Sequence, residues 1–495
     1  MFKKILIANR GEIALRIMRT CREMGIDMVA VYSDVDARAL HILEADEAIQ
    51  LGPAEPSQSY LDIDRVMAAV KQSGAEAIHP GYGFLAENAD FAERCQAEGV
   101  VFIGPPGSVI RDLGDKITAR QIMQNGGVPV IPGMTEAAGD PAAWADHADQ
   151  IGFPVLIKAA AGGGGKGMRI VTDPAELAEA CQAAAREAAA AFGDGTIYME
   201  KYLARSRHVE IQILADSQGN AIHLFERECS IQRRHQKIIE ETPSPALDAD
   251  LRNRMGQAAV AAARASGYVN AGTVEFILDP DGNFYFLEVN TRLQVEHPIT
   301  EMVTGVDLVR QQIEIAAGSP LSLAQEDLSL RGHAIECRIY AEDPEQNFMP
   351  SPGTITFVQE PSGPGVRNDC GVYTGVEVPM EYDPIISKLV VHAETRDGAI
   401  QRMVRALETY TVLGVKTPTG FLLDVLGSPP FAAGATYTDF IDAHFADWHP
   451  DDTVLDIAAV AYAADAMAPK AQFAMAGARP ATHVGPWQTL ANWRL

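Results

Sequence analysis

Residues 288–298 read Glu-Val-Asn-Thr-Arg-Leu-Gln-Val-Glu-His-Pro. In extended chain, Glu288, Asn290, Arg292, Gln294 and Glu296 share one side, while Val289, Leu293 and Val295 share the other. That pattern also suits an amphipathic strand with a wet face, so the neighbouring sequence decides. Thr273–Leu278, TVEFIL, leads through Asp279–Asn283 into Phe284–Glu288, FYFLE, which predicts a hairpin. A loop of two or four residues sets Glu275 opposite Glu288, whereas three residues with a bulge slip the pairing by one. Two carboxylates about 5 Å apart repel by roughly 3 kcal/mol at an effective dielectric near 20. A divalent cation between them relieves that repulsion. With Asn290 added, the ligands are all oxygen, which suits Mg²⁺ or Mn²⁺ rather than zinc.

Hard cations of this kind hold phosphate, and the chain offers a phosphate-binding segment upstream. Strands at Phe153–Lys158 and Met168–Val171 flank Gly162-Gly163-Gly164-Gly165-Lys166-Gly167. The loop lacks the Lys-Ser/Thr of a Walker motif and is not followed by a helix. As a hairpin tip its bare amides can close over phosphates. Lys158 and Lys116 are placed to neutralise phosphate oxygens, and Asp173 with Pro174 and Glu176 predicts a capped helix start.

The N-terminal portion predicts a parallel α/β sheet. Lys4–Ala8 reads as a strand, Glu12–Met24 as a helix and Met28–Tyr32 as a strand, with further strands at 77–79 and 100–103. Its first turn, Asn9-Arg10-Gly11, lacks the glycine fingerprint of a dinucleotide site. His79–Asn88, HPGYGFLAEN, follows a strand end, where ligands of such sheets gather. Antiparallel strands are predicted at 208–215 and 221–229. The basic run Gln232–Lys237 stands out in an acidic chain, and a solvated surface would also explain it. From about residue 331 a third, α+β unit is predicted to pack on the catalytic one, with a helix from Arg396 to Thr409.

The chain has 495 residues, a net charge of −26 and 47% hydrophobic residues, which describes a soluble multidomain protein. The charge argues against nucleic acid and anionic membrane surfaces. Six cysteines without metal spacing suit reduced thiols in a cytoplasm.

Taken together, IANRGEIALR, HPGYGFLAEN, GGGGKGMRIV, EKYLARSRHVEIQ, ECSIQRRHQKIIEE, AGTVEFIL, LEVNTRLQVEHPITE and GHAIECRIYAEDP resemble the biotin carboxylase family of ATP-grasp enzymes. The likeness runs from residue 1 to about 446. It implies a Rossmann-like N-terminal domain (1–115), an ATP-grasp region (116–330) with a mobile lid at about 132–203, and a C-terminal α+β domain (331–446). Residues 447–495 form an Ala-rich tail. One departure is Ala86, where the family carries Ser.

Carried over by position, the resemblance implies that Lys116, Lys158, Gly164, Gly165 and His208 contact ATP phosphates. Glu200 and Leu203 contact adenine, and Gln232 and His235 line the nucleotide site. Glu275, Glu288 and Asn290 hold Mg²⁺ or Mn²⁺. Lys237, Arg292, Gln294 and the Val295 amide hold bicarbonate. Glu296 is the base, Arg338 faces the biotin enolate, and Tyr82 lies near the ureido ring. The implied partners are a biotin carboxyl carrier protein or domain and a carboxyltransferase, in a homodimer or larger complex. Arg16, Arg19 and Glu23 on one helix suit a dimer contact or a surface ion-pair face. The chain has no Ala-Met-Lys-Met turn, so biotin is expected on a separate carrier. The ending GPWQTLANWRL resembles the start of the segment that follows this portion in long carboxylase α chains. Another ATP-grasp ligase forming a carboxyl phosphate is the alternative.

Overall fold

Five parallel strands open the fold: Lys4–Ile7, Asp27–Ser33, Glu47–Gly52, Ala77–His79 and Val101–Phe102. In chain order they stack 3-2-1-4-5, the doubly wound arrangement expected from a βαβ start. The structure is a computed structural model. It describes residues 1–134, 141–159, 168–234 and 236–450, and of these the side chains of 141–143 and 192 are outside the description. Gly164, Gly165, His235 and the tail beyond 450 therefore lie outside the described residues.

An eight-stranded antiparallel sheet carries the rest. Its order is Phe284–Asn290, Asn270–Leu278, Arg207–Ala215, Ala221–Arg233, Gln236–Thr242, His333–Tyr340, Ile385–Ala393 and Val366–Cys370. The last three strands come from the predicted third unit. They continue the same sheet, with Ile239 paired to Cys337 and Glu240 to Glu336. Alternation sorts the faces. Val209, Ile211, Ile213, Val274 and Phe276 pack into a core with the Ala249–Ser266 helix, while His208, Glu210, Gln212, Thr273 and Glu275 turn the other way.

A three-stranded sheet of Arg169–Val171, Val155–Ala159 and Ile197–Lys201 lies within the stretch expected to form the lid. Trp144, Ala148, Cys181 and Ala184 from its helices Pro141–Ile151 and Leu177–Phe192 share a core with Val155, Ile157 and Met199. Asp173 caps a short 3₁₀ turn, Pro174–Glu176, ahead of the helix, and accepts a hydrogen bond from the Ala175 amide. Gly133 lies so close to Met199 and Glu200 that an added Cβ would sit 2.8 Å from the Met199 carbonyl oxygen.

Of the two readings offered for Arg16, Arg19 and Glu23, a surface ion-pair face does not hold for Arg16. It is 5% exposed and bonds Thr20, Glu301 and Asp307, each at 2.7 Å. Arg19 reaches Asp369 at 2.5 Å, while Glu23 stays exposed beside Arg310.

Buried neutral histidines give the fold an acid-sensitive element. Burial holds His223 down at about 4, while the unfolded chain titrates near its ordinary 6.5. The unfolded state therefore binds more protons between these values, and the contribution of His223 is complete above about 6.5 and lost as pH falls towards 4. His223→Gln removes this term. Relative to the wild type it should gain about 2 kcal/mol on going from pH 7.5 to pH 5. Urea melts at both pH values measure this, and a constant difference would refute it.

Candidate functional site

Strand register assembles a row of charge across four strands. Glu288 pairs with Glu275, Glu275 with Glu210, and Glu210 with Arg227. The predicted Glu275–Glu288 pairing is present, by a different route from the one expected. The hairpin turn occupies Asp279–Asn283, with Leu278 paired to Phe284, and a bulge between Phe276 and Glu275 restores the register. Leu287 is the extra residue.

The strand itself ends at Asn290 rather than running to Pro298. Residues 291–296 turn away, and Glu296 becomes the N-cap position of the helix His297–Thr304, with Pro298 in its first turn. Folding back this way returns Gln294 and Glu296 to the carboxylate row.

Lys237 stands at the centre. Its ammonium donates to Glu210 Oε2 at 2.5 Å, Glu296 Oε1 at 2.7 Å and Glu275 Oε1 at 2.8 Å. Glu275 Oε1 also accepts from Asn290 at 2.8 Å and Gln294 at 2.9 Å, and its other oxygen lies 2.8 Å from His208 Nε2. Although burial opposes ionisation of Glu275, Lys237 and His208 hold its pKa well below the usual carboxylate range. His208 Nδ1 meets the Gln232 amide at 2.7 Å. Glu296 Oε2 accepts from Arg338 at 3.0 Å. Burial favours the neutral acid of Glu296, but Lys237, Arg338 and Arg227 overcome it and keep the carboxylate ionised.

Arg292 donates to Asn290 Oδ1 at 3.1 Å and to Glu87 at 2.9 Å. Glu87 also accepts from the Thr291 amide at 3.1 Å, so the 79–88 segment reaches the site through Glu87. Tyr82, in the same segment, donates its hydroxyl to Glu12.

The residues expected to contact the nucleotide are buried or half-buried where the structure describes them. Lys158 pairs with the buried Glu200, and Leu203, half-buried, follows that strand. Lys116 opens the helix Lys116–Asn125. Burial and the Lys158 charge lower its pKa, while Glu288 and Glu200 oppose them. Glu288 is accessible to solvent yet closely surrounded by protein. Burial and the facing Glu275 raise its pKa against the pull of Lys116. Val295 is half-buried beside Gln294.

A divalent cation fits Glu288 and Glu275, since opposed carboxylates with Asn290 beside them supply hard oxygen ligands and would shed their repulsion. Among the described residues, His208–Glu210–Glu275 and Glu210–Cys229–Glu296 are also close enough to share an ion. The Lys237 ammonium already contacts a carboxylate of each group.

Sequence reasoning missed Glu210, Arg227, Glu240 and Glu87. Glu210 had a local signal, sharing its strand face with His208 and Gln212. Arg227 is fully buried, and all five of its N–H groups are used, on Glu210, Gln212, Thr300, Thr273 and Gln294.

Known proteins show the same architecture. Residues 1–110 match the biotin carboxylase N-terminal domain, 115–324 the carbamoyl-phosphate synthase L chain ATP-binding domain, and 336–443 the biotin carboxylase C-terminal domain. The chain belongs to the biotin carboxylase family. It is 54% identical over 440 residues to the biotin carboxylase of Nostoc sp., covering 89% of this chain and 98% of that one. Against the mitochondrial methylcrotonoyl-CoA carboxylase α chain of Mus musculus it is 50% identical, covering 93% of this chain and 64% of that one. Among solved structures, the biotin carboxylase domain dimer of Hydrogenobacter thermophilus 2-oxoglutarate carboxylase, with MgADP, ADP and bicarbonate, superposes with a TM-score of 0.86. That domain is 47% identical, with 90% of this chain and 98% of that one covered.

Proposed function

We propose that the chain carboxylates biotin presented by a carrier, using ATP and bicarbonate, as the first half-reaction of a carboxylase. The observation that carries this reading is the meeting of Glu296, Lys237 and Arg338 beside the Glu275–Glu288 pair. Bicarbonate is a weak nucleophile and the biotin ureido nitrogen a weak acid, so both need deprotonation under electrostatic control.

Lys237 and Arg292, with Gln294 and the Val295 amide, bind bicarbonate. Glu296 takes its proton, and the bicarbonate oxygen attacks the γ-phosphorus of ATP as the bond to ADP breaks. Glu275, Glu288 and Asn290 would hold the divalent cation, which would neutralise phosphate charge. Lys116 and Lys158 add to that neutralisation, with Gly164, Gly165 and His208 at the phosphates, Glu200 and Leu203 at adenine, and Gln232 and His235 lining the nucleotide. Carboxyphosphate splits to CO₂ and phosphate, and the phosphate takes the ureido proton. Arg338, a fixed cation, stabilises the enolate oxygen as the nitrogen attacks CO₂. Tyr82 lies beside the ureido ring.

A carrier domain and a carboxyltransferase are the partners this chemistry requires. A homodimer is the assembly we infer, supported by the dimeric relative. Six buried, unpaired cysteines suit the reducing cytoplasm.

ATP cleavage by the purified chain should depend on bicarbonate and rise on adding free biotin. Bicarbonate-independent cleavage would refute the reading and favour another ATP-grasp ligase. Glu288→Gln should raise the Mg²⁺ concentration for half-maximal rate by about tenfold or more with the fold retained. Unchanged Mg²⁺ dependence would remove Glu288 from the ligand set.

A further inference from the structure

Behind Arg338 lies a second carboxyl constellation that the reaction does not use. Arg338 Nε donates to Glu240 Oε1 at 2.6 Å, and a terminal nitrogen lies 2.5 Å from the same oxygen. That terminal nitrogen also donates to Glu296 Oε2 at 3.0 Å. The guanidinium is therefore held from behind by Glu240 and in front by Glu296.

Glu240 is paired in register with Glu336 on the adjacent strand, and both are 0% exposed. Glu240 Oε2 and both Glu336 oxygens lack hydrogen-bond partners. Two ionised carboxylates facing each other without donors, away from water, are strongly disfavoured. A single proton resolves the arrangement, because a neutral acid donates its O–H to the facing carboxylate.

We propose that Glu240 is a positioning residue for Arg338, and that it works as half of a carboxyl pair that shares one proton with Glu336. This rests on Arg338 being the cation that meets biotin. The charges around the pair agree with a single negative charge. Arg338 and Glu336 share a strand, and Lys388 pairs with Arg338 from the next strand. Lys237 and Glu240 share the strand on the other side, and the helix His297–Thr304, bearing His297 and Glu301, packs across them. Burial and Glu240 push Glu336 well above the carboxylate range, with Lys388 and Arg338 opposing. Burial lifts Glu240 to about 7 although Arg338 pulls it down. Because Arg338 contacts Glu240 through two nitrogens while neither Glu336 oxygen has a donor, the proton resides on Glu336, and Glu240 keeps the charge that aims the guanidinium. Without that charge Arg338 has Glu296 as its main partner, which draws it off the ureido oxygen and burdens the base.

Steady-state ATP cleavage by the full chain with free biotin and bicarbonate tests this, together with infrared spectra in H₂O and D₂O. Glu240→Gln should lower the biotin-dependent kcat by about tenfold or more while the KM for ATP stays within roughly twofold. Glu336→Gln replaces the acid by a neutral N–H donor. It should keep kcat within roughly twofold and abolish a D₂O-sensitive carboxylic-acid C=O band present in the wild type at neutral pH. A Glu240→Gln enzyme with wild-type kcat overturns the positioning role. A spectrum unchanged by Glu336→Gln overturns the shared proton, and this arm remains informative if Glu240→Gln does not fold. A wild-type chain inactive with biotin would instead count against the proposed function, so the two failures are distinguishable.

Discussion

Glu296→Gln should abolish bicarbonate-dependent ATP cleavage, with a loss of about 10²–10⁴-fold in kcat and little change in the KM for ATP. The carboxylate is 2% exposed and bridges two cations, Lys237 at 2.7 Å and Arg338 at 3.0 Å. Those partners keep it ionised at any physiological pH, so it is always in the form that accepts a proton. They also make it a weak base until a substrate anion draws Lys237 away. In the proposed reaction bicarbonate does so by entering beside Lys237 and Arg292, which would strengthen the base at the moment a proton needs removing. Glutamine preserves the shape and the contact with Arg338 but cannot take the proton. The proposed ATP contacts at Lys116, Lys158 and Glu200 lie on other elements and should be untouched. Steady-state kinetics with bicarbonate varied, alongside nucleotide binding by fluorescence, separates the two effects. Wild-type bicarbonate-dependent cleavage in this variant would place the base elsewhere.

How much of this site the sequence disclosed depends on how far apart its partners lie. The Glu275–Glu288 pairing was readable because alternation is a local signal and both strands keep it. The expected loop length was wrong, and the answer survived because the bulge at Leu287 offsets the longer turn. The strand end at Asn290 was hidden because residues 292, 294 and 296 continue a polar alternation without being in a strand. Pro298 was the signal for a helix start. That the C-terminal strands extend the same sheet is not legible in the sequence, because periodicity identifies a strand but not its neighbour. Nothing local announces that Ile239 pairs with Cys337. The same limit hid Glu87, whose partner Arg292 is 205 residues away, and Arg227, whose partners lie on four other segments. The basic run at 232–237 split by environment. Arg233 is buried against Glu342 and the Phe348 ring, Lys237 enters the site, and Arg234 keeps the solvated character of a surface charge.

Arg227→Met should cost about 3–5 kcal/mol of stability and most of the activity. Its guanidinium is 0% exposed and donates to Glu210, Gln212, Thr300, Thr273 and Gln294. Removing it strands the Glu210 carboxylate, also 0% exposed, with only Lys237 for compensation. It also frees Gln294, whose amide nitrogen otherwise bonds Glu275 at 2.9 Å, so the carboxylate row loses its alignment. Arg227→Lys keeps the charge but not the fork of five donors, and should recover only part of the stability. The paired replacement Arg227→Met with Glu210→Met separates the two consequences. Removing both charges of a buried pair is often neutral for stability, whereas removing one is not, so the double variant should unfold closer to the wild type than Arg227→Met does. Its activity should nevertheless stay low, because Lys237 has lost the partner that fixes it opposite Glu275 and Glu296. Chemical denaturation and ATP-cleavage rates on all four proteins measure this. If Arg227→Met unfolds at wild-type denaturant concentration, the arginine does not support the site. If activity returns together with stability in the double variant, Glu210 has no part in holding Lys237.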